Sequence, residues 1–359
     1  MQKFKYALGI ITLLIFHSVI FAQSFELKVD SLLKEKYKPN SPGAVFLVAH
    51  NGNTIYEKAF GSANMELKTP MKSENVFGIG SITKQFTSVS ILMLLEEGKL
   101  NLDDEITKYI PDYPTKEKTI TIHHLLTHTS GIKNYTSMRE LRDILKKDLT
   151  PMELINFFKN EPMDFSPGEK YKYNNSGYII LGYIIESLSG MSYSDFVEEK
   201  IFKKIGMTSS SYGNHNKIIM NRASGYSKRE GYTNAMQISY SLPYASGSLL
   251  SNTEDMLKWQ YSLNKYTLVS KSTLEKAYTN YRLNNGSYIN YGFGWFIKEI
   301  NKHKSIEHGG SIPGFQSMAV YIPEENIYVI GLTNCDCYSP TKITRKIAEI
   351  FLNKLKDKS

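Results

Sequence analysis

The feature that most constrains the fold is a division of pattern along the chain, with strand-forming runs near both ends and helix-forming runs between them. Ala44 to Gly61, AVFLVAHNGNTIYEKAFG, holds two apolar, partly alternating stretches around Asn51-Gly52. An Asn-Gly pair tolerates positive φ at both central turn positions, so this spacing predicts a β-hairpin. Near the other end, YGFGWFIKEI, QSMAVYIP and NIYVIGLTN are rich in β-branched and aromatic residues. The last two meet at Glu324-Glu325 as a second expected hairpin. Phe25 to Tyr37 and TKITRKIAEIFLNKLK read as amphipathic helices at either end of the chain. Ser81 to Leu100 is an expected helix with its stop at Gly98 and a turn at Asp103-Asp104, and Pro151 to Lys159 and Tyr178 to Leu188 are further helical segments. The economical architecture is α+β: an antiparallel sheet built from both chain ends, flanked by helices, with a mainly helical region inserted. The expected organisation is a single domain over residues 23–359, with an α/β part at about 25–80 and 245–359 and a helical part at about 81–244.

The first residues carry an address rather than a fold. Lys3 and Lys5 are basic, Ala7 to Phe21 is apolar except at Thr12, His17 and Ser18, and Ala22 offers a small residue before Gln23. The run is short of the roughly 20 residues a membrane span needs. Residues 1–22 therefore read as a cleaved secretory signal peptide, with an uncleaved anchor or a buried first helix as alternatives. A periplasmic or secreted location follows, without stable membrane insertion once the segment is removed. Cys335 and Cys337 are the only cysteines, and at two positions apart they are not expected to form a disulfide. The net charge of +8 includes Lys3 and Lys5, and its longest later basic runs are pairs such as Lys146-Lys147 and Lys203-Lys204. A nucleic-acid reader needs a basic stripe or cluster, so no nucleic-acid partner is expected.

FGIGSITKQFT, Phe77 to Thr87, carries the chemistry. Ser-x-x-Lys occurs five times, at Ser31, Ser81, Ser130, Ser262 and Ser339, so the pattern alone carries little. Positions i and i+3 share a helix face, so Lys84 reaches Ser81 if both are helical. Ser81 also opens its expected helix, where backbone N–H groups and the helix dipole favour developing negative charge. Gly78 and Gly80 before it allow close backbone approach. The bland alternative is a serine N-cap beside a solvated lysine. A lysine serves as a base only when neutral, and lowering its pKa by three units costs about 4 kcal/mol, so other residues must create that environment.

Two downstream stretches stand out: YKYNNSGYIILG, with Tyr173-Asn174-Asn175, and EHGGSIPGF, with His308-Gly309-Gly310. Each triplet is weak alone, since Tyr-x-Asn recurs at Tyr212, Tyr232, Tyr278 and Tyr288, and His-x-Gly at His50. Together with EEGKLNLDD, LLTHTSGI and ASGSLLSNTEDMLKW, in this order, the chain resembles the serine β-lactamase and penicillin-binding protein superfamily. The similarity is to its branch of class C β-lactamases, DD-peptidases, D-aminopeptidases and related esterases. It implies a β-lactamase/transpeptidase-like fold and a metal-free, cofactor-free acyl-enzyme mechanism. It further implies that Ser81 is acylated, that Lys84 helps deprotonate it, and that Tyr173 relays protons through a phenol acidified by neighbouring cations. Asn175 would orient Lys84 and the substrate amide, and His308 would contact substrate carboxylate or Tyr173. Gly309 and Gly310 would let substrate lie along the strand edge, and the N–H groups of Ser81 and Ser311 would form the oxyanion hole.

One departure bears on activity. Class C β-lactamases usually carry Lys where this chain has His308, whereas His is usual among DD-peptidases, D-aminopeptidases and several esterase-like members. A mostly neutral histidine is a weaker anchor for a β-lactam carboxylate, which disfavours efficient β-lactamase activity. There is no Gly-x-Ser-x-Gly elbow and no phosphate-binding glycine loop. His124 and His128 are read as helical i, i+4 partners, but Leu125 replaces the Glu of a zinc motif, and His128 is expected to pin the THTSG turn instead. Trp259, Trp295 and the YGFGWF stretch are expected to pack in the core. The functional expectation is an exported serine hydrolase acting on a small D-amino-acid peptide, amide or ester, including cell-wall peptide, with DD-carboxypeptidase or endopeptidase activity first. An esterase or weak β-lactamase comes next, and from another class a penicillin-binding sensor or scaffold that does not turn over. Whether Lys84 or Tyr173 is the resting base is open at this stage.

Overall fold

The computed structural model describes residues 25–356, so the expected signal peptide lies outside the described residues. The main strands are β1 (Ala44–His50) and β2 (Asn53–Phe60) from one end and β6 (Phe296–Ile300), β7 (His303–Ile312), β8 (Phe315–Ile322) and β9 (Ile327–Thr333) from the other. They form one antiparallel sheet in the order β6-β7-β8-β9-β1-β2. The two ends of the chain meet at its centre, where β1 lies against β9 with Ala44 opposite Thr333 and His50 opposite Ile327. Asn51 and Gly52 turn β1 into β2 at φ 54° and 79°, both in the left-handed region that an Asn-Gly pair accepts. The second expected hairpin joins β8 to β9 as anticipated.

β1 is buried along almost its whole length because both faces of the sheet are covered. Phe46 and Val48 pack with Val29, Leu33, Ile347 and Phe351 from helix α1 (25–36) and the C-terminal helix α9 (Thr341–Lys356). Val45 and Leu47 face the opposite core with Val89, Leu92 and Trp259, from helices α2 (Thr83–Glu96) and α7 (Thr253–Asn264). Further helices are α3 (Ile122–Leu126), α4 (Pro151–Phe158), α5 (Asn175–Ser189), α6 (Tyr193–Val197) and α8 (Lys271–Ala277), beside several shorter helical turns. A small second sheet sets β5 (Leu249–Ser251) between β3 (Phe77–Gly78) and β4 (Ser211–Tyr212). No helix among the described residues is long and apolar enough to cross a membrane.

Three expectations need correction. The middle of the chain is less helical than its pattern implied, because residues 206–244 are rich in Ser, Asn and Gly and form turns and short strands. Cys335 and Cys337 are joined by a disulfide. The chain leaves β9 into a turn that brings their Cα atoms to 5.1 Å, within the usual bridging distance. Finally, the single apolar face that Val89, Leu92, Leu94 and Leu95 predict for α2 is not what forms, because the helix is buried on all sides from Thr83 to Leu92. Its polar side chains therefore need partners. Thr87 Oγ1 donates to the Ala245 carbonyl at 2.6 Å, and Gln85 Oε1 accepts from Trp259 Nε1 at 3.0 Å.

Two carboxylates of helix α1 hold it to the sheet: Glu26 pairs with Lys58 at 2.5 Å, and Asp30 makes the larger set of bonds. Asp30 accepts from Tyr56 Oη at 2.9 Å, Lys58 Nζ at 2.9 Å and Lys34 Nζ at 3.2 Å. Burial pushes its pKa up, but the bonds from Lys58, Tyr56 and Lys34 outweigh it and hold the carboxyl below its usual range. Asp30→Asn is expected to cost about 1–2 kcal/mol in urea unfolding, since it removes the charge from those bonds. An unchanged midpoint would show that the Asp30 bonds add nothing to the docking of α1.

Candidate active site

After β3 the backbone turns through Gly80, at φ 53°, into a single 3-10 turn, Gly80–Ile82, that runs into α2. The caps of these two segments are Ile79 and Ile82, and neither makes a side-chain cap. Ser81 is therefore not an N-cap serine, which removes the bland reading of its position. Lys84 lies one turn on and is fully buried. Its Nζ stands 3.4 Å from Ser81 Oγ, 2.7 Å from Asn175 Oδ1 and 2.9 Å from the Ser246 carbonyl oxygen. Burial holds its pKa well below the ordinary lysine value, and none of those three partners is a carboxylate. A neutral amine has two N–H bonds and one lone pair. Asn175 Oδ1 and Ser246 O can only accept, so they take both N–H bonds and leave the lone pair to the Ser81 O–H.

Tyr173 precedes Asn174, which caps α5 by accepting from the Gly177 N–H at 3.3 Å. The Lys84 Nζ sits 4.8 Å from the Tyr173 ring centroid. The ring is part-exposed, but its hydroxyl is buried without a well-formed hydrogen bond among the described residues. Burial pushes the phenol well above its usual pKa, and its interaction with the Ser81 hydroxyl opposes this without reversing it. The phenol is thus not acidified by neighbouring cations, contrary to expectation, because dehydration dominates.

His128 holds Tyr173 in place. It adopts φ 59°, and its carbonyl accepts from the Lys172 N–H at 3.1 Å while its Nδ1 accepts from the Asn174 N–H at 3.1 Å. Its ring lies against Tyr173, with centroids 4.4 Å apart. It pins the Tyr173 segment as well as its own turn. Helix α3 ends at Leu126, so His124 and His128 are not helical partners as expected. Among the described residues, no group of three His, Cys, Asp or Glu is placed to hold a metal ion.

His308 reaches the site from β7, its ring centroid 5.9 Å from that of Tyr173 and both nitrogens bonded to other groups. Nδ1 lies 2.6 Å from the Gly309 carbonyl, which can only accept, so Nδ1 carries the proton and Nε2 accepts from Tyr291 Oη at 3.1 Å. Burial, with the positive charge of Lys84 as a lesser cause, pushes its pKa down to about 3. Tyr291 and Ser246 are site residues that sequence reasoning missed. The first was read as core, and the second contributes a backbone carbonyl that no side-chain pattern reports.

The edge of β7 completes the site. β6 pairs with β7 only as far as Glu307, opposite Phe296, and the turn at Asn301-Lys302 makes Ile300 and His303 a hydrogen-bonded pair. By alternation, Glu307, Gly309 and Ser311 aim their backbone groups at the same edge, and beyond Glu307 no strand covers it. Ser311 thereby turns its N–H towards the start of α2. Close approach depends on two glycines: a Cβ at Gly80 would stand 2.7 Å from Ser311 N, and one at Gly310 2.0 Å from the Ile79 carbonyl. Ser317 Oγ donates to that same carbonyl at 2.7 Å, clamping β8 to the turn as well. Ser81 opens on a cavity of about 160 Å³ walled by Tyr135, Thr136, Asn175, Leu242, Ser246 and Ser311 among others.

A model of the beta-lactamase family matches residues 29–350. Penicillin-binding protein 4* of Bacillus subtilis (strain 168) is 32% identical over 320 residues, covering 84% of this chain and 69% of that protein. The chain spans about two thirds of the length of the curated relatives it matches. Among solved structures, the octameric penicillin-binding protein homologue from Pyrococcus abyssi aligns with a TM-score of 0.79 and 32% identity, over 93% of this chain and 77% of that one. D-amino acid amidase from Ochrobactrum anthropi SV3 shares the fold, with a TM-score of 0.79 at 24% identity over 94% of this chain and 99% of that one. The chain belongs to the beta-lactamase family and is a serine hydrolase of that family.

Proposed function

We propose that this protein hydrolyses a peptide, amide or ester of a D-amino acid through an acyl-enzyme on Ser81. The observation that carries the reading is the buried Lys84 amine, whose two acceptor-only partners leave its lone pair to the serine. Ser81 Oγ passes its proton to that amine and bonds to the substrate carbonyl carbon, whose π pair moves onto oxygen. The N–H groups of Ser81 and Ser311 receive the oxyanion, a contribution of about 10²–10³ in rate per donor. As the bond to the leaving group breaks, the leaving atom takes a proton from the Tyr173 phenol, which Lys84 resupplies. Water then attacks the acyl carbon, its proton passes to the amine, and Ser81 leaves with a proton. Because its pKa is raised, Tyr173 serves as the acid and Lys84 as the resting base.

His308 refines the substrate class. With both nitrogens engaged and no charge, it offers no cation to a carboxylate on the leaving group. This favours an internal peptide bond, an amide or an ester over removal of a terminal D-amino acid. The names of a penicillin-binding protein and a D-amino acid amidase among the similar proteins support D-aminoacyl chemistry. Cell-wall peptide is the substrate that suits the export segment read in residues 1–22.

A fluorescent penicillin is expected to label the protein, with the mass adduct located on Ser81 and absent in Ser81→Ala. Lys84→Met is expected to slow acylation about 10²–10⁴-fold. Labelling that survives in Ser81→Ala would remove Ser81 as the nucleophile. The neutral state of His308 has a separate signature in stability. Its folded pKa of about 3 lies below the unfolded value near 6.5, so between them the unfolded chain binds a proton that the folded chain refuses. Stability present above pH 6.5 therefore falls as the pH drops towards 3, and His308→Gln is expected to flatten that fall in urea unfolding across the window. An unchanged slope would mean that His308 accepts a proton in the folded state.

A further inference from the structure

Next to the serine cavity lies a larger one of about 420 Å³, and the two share Ile238, Pro243, Ile312 and Pro313 in their walls. Among the described residues, no Asp or Glu lines either cavity, and Arg222 is the one arginine or lysine that does. Its guanidinium donates to Tyr240 Oη at 3.0 Å and to the Asn214 carbonyl at 3.5 Å, and it lies 5.8 Å from the Tyr240 ring centroid. Those partners are neutral, and among the described residues Arg222 is in no ion pair. A guanidinium carries five N–H donors in a planar fork that matches a carboxylate, so two neutral acceptors leave most of that capacity unused. The side chain is also firmly based. Val76 N–H donates to the Asn221 carbonyl and Ala223 N–H to the Val76 carbonyl, each at 3.0 Å, so both flanks of Arg222 are tied to the strand leading to Ser81.

We infer that this second cavity receives the acyl half of the substrate, and that Arg222 binds a carboxylate carried there, one cavity removed from the scissile carbonyl. The inference rests on the acyl-enzyme reading given above. The cavity is assigned to the acyl half because Tyr173, the acid that protonates the departing atom in the proposed reaction, is absent from its walls. It continues past the oxyanion donor at Ser311 along Ile312 and Pro313. The substrate class is thus an acidic D-aminoacyl compound, with the acid on the part that becomes attached to the serine.

The test compares N-succinyl-D-alanine 4-nitroanilide with its N-succinamoyl counterpart, which differs only by carboxamide in place of carboxylate. The wild-type protein is expected to favour the carboxylate about tenfold or more in kcat/KM, less so in high salt. Arg222→Gln is expected to lower the carboxylate-to-carboxamide ratio about ten- to a hundredfold, the worth of a charge-assisted hydrogen-bonded pair. Arg222→Lys keeps the charge without the fork and is expected to fall between the two. A ratio in Arg222→Gln within about twofold of wild type overturns the inference, as does an equal loss on both compounds. Turnover of neither compound overturns it too. If penicillin labelling of Ser81 is then also absent, the acyl-enzyme reading falls with it, whereas labelling without discrimination leaves that reading standing.

Discussion

An amine kept out of water beside a hydroxyl is the constraint on which the rest of this molecule depends. Dehydrating an ammonium disfavours its charge, and each pKa unit of lowering corresponds to roughly 1.4 kcal/mol. A carboxylate next to Lys84 would relieve that penalty and keep the amine charged. The fold instead brings two acceptor-only oxygens to Nζ, one from the first residue of α5 and one from the turn before β5. Three segments far apart in sequence therefore have to meet around one side chain. This explains why α2 is sunk in the core on every side, although its sequence is full of Thr, Ser and Gln. A surface helix would present the same lysine to water and leave it protonated.

The proposed chemistry also requires a donor pair for the oxyanion, a role that backbone rather than side chains would fill. The turn before α2 and the edge of β7 approach so closely that neither Gly80 nor Gly310 has room for a Cβ. Gly80 needs its positive φ for the turn as well. The bond from Ser317 to the Ile79 carbonyl adds a third strand to the clamp. Preorganised N–H groups lose little on reaction because nothing has to be reoriented when charge develops. The large sheet thus supplies chemistry as well as a core, through the stretch of β7 that extends beyond its neighbour.

Much of this was legible in the residues because it is local. Asn51-Gly52 specifies a turn whatever surrounds it, and Ser81, Lys84, Tyr173 and Asn175 stand in motifs that the resemblance carries over by position. What escaped were properties of convergence. The pKa direction of Tyr173 depends on how deeply its hydroxyl is enclosed, which no spacing reveals, and it came out opposite to the expectation. His308 was expected to contact substrate carboxylate or Tyr173, and the partner that spacing did not reveal for its Nε2 is Tyr291, seventeen positions earlier. The Cys335–Cys337 bridge was missed because an argument from separation assumed extended backbone, and the chain turns there instead. Arg222 attracted no notice because it sits in no motif. Its significance lies in what surrounds it.

The dryness that lowers the Lys84 pKa also restricts where else the site can hold charge. A permanent cation at His308 would face the transient Lys84 ammonium inside the same low-dielectric space, where repulsion is strong. The histidine escapes this by remaining neutral, its Nδ1–H donating to the Gly309 carbonyl and its Nε2 accepting from the Tyr291 hydroxyl. Any fixed positive charge for binding substrate has to stand further off, where water screens it from the amine. Arg222 meets that condition: it is part-exposed, on the wall of the neighbouring cavity, and its base is tied to the strand that delivers Ser81. Separating the binding cation from the catalytic amine lets one site attract an anionic substrate without protonation of its base being altered by the attraction.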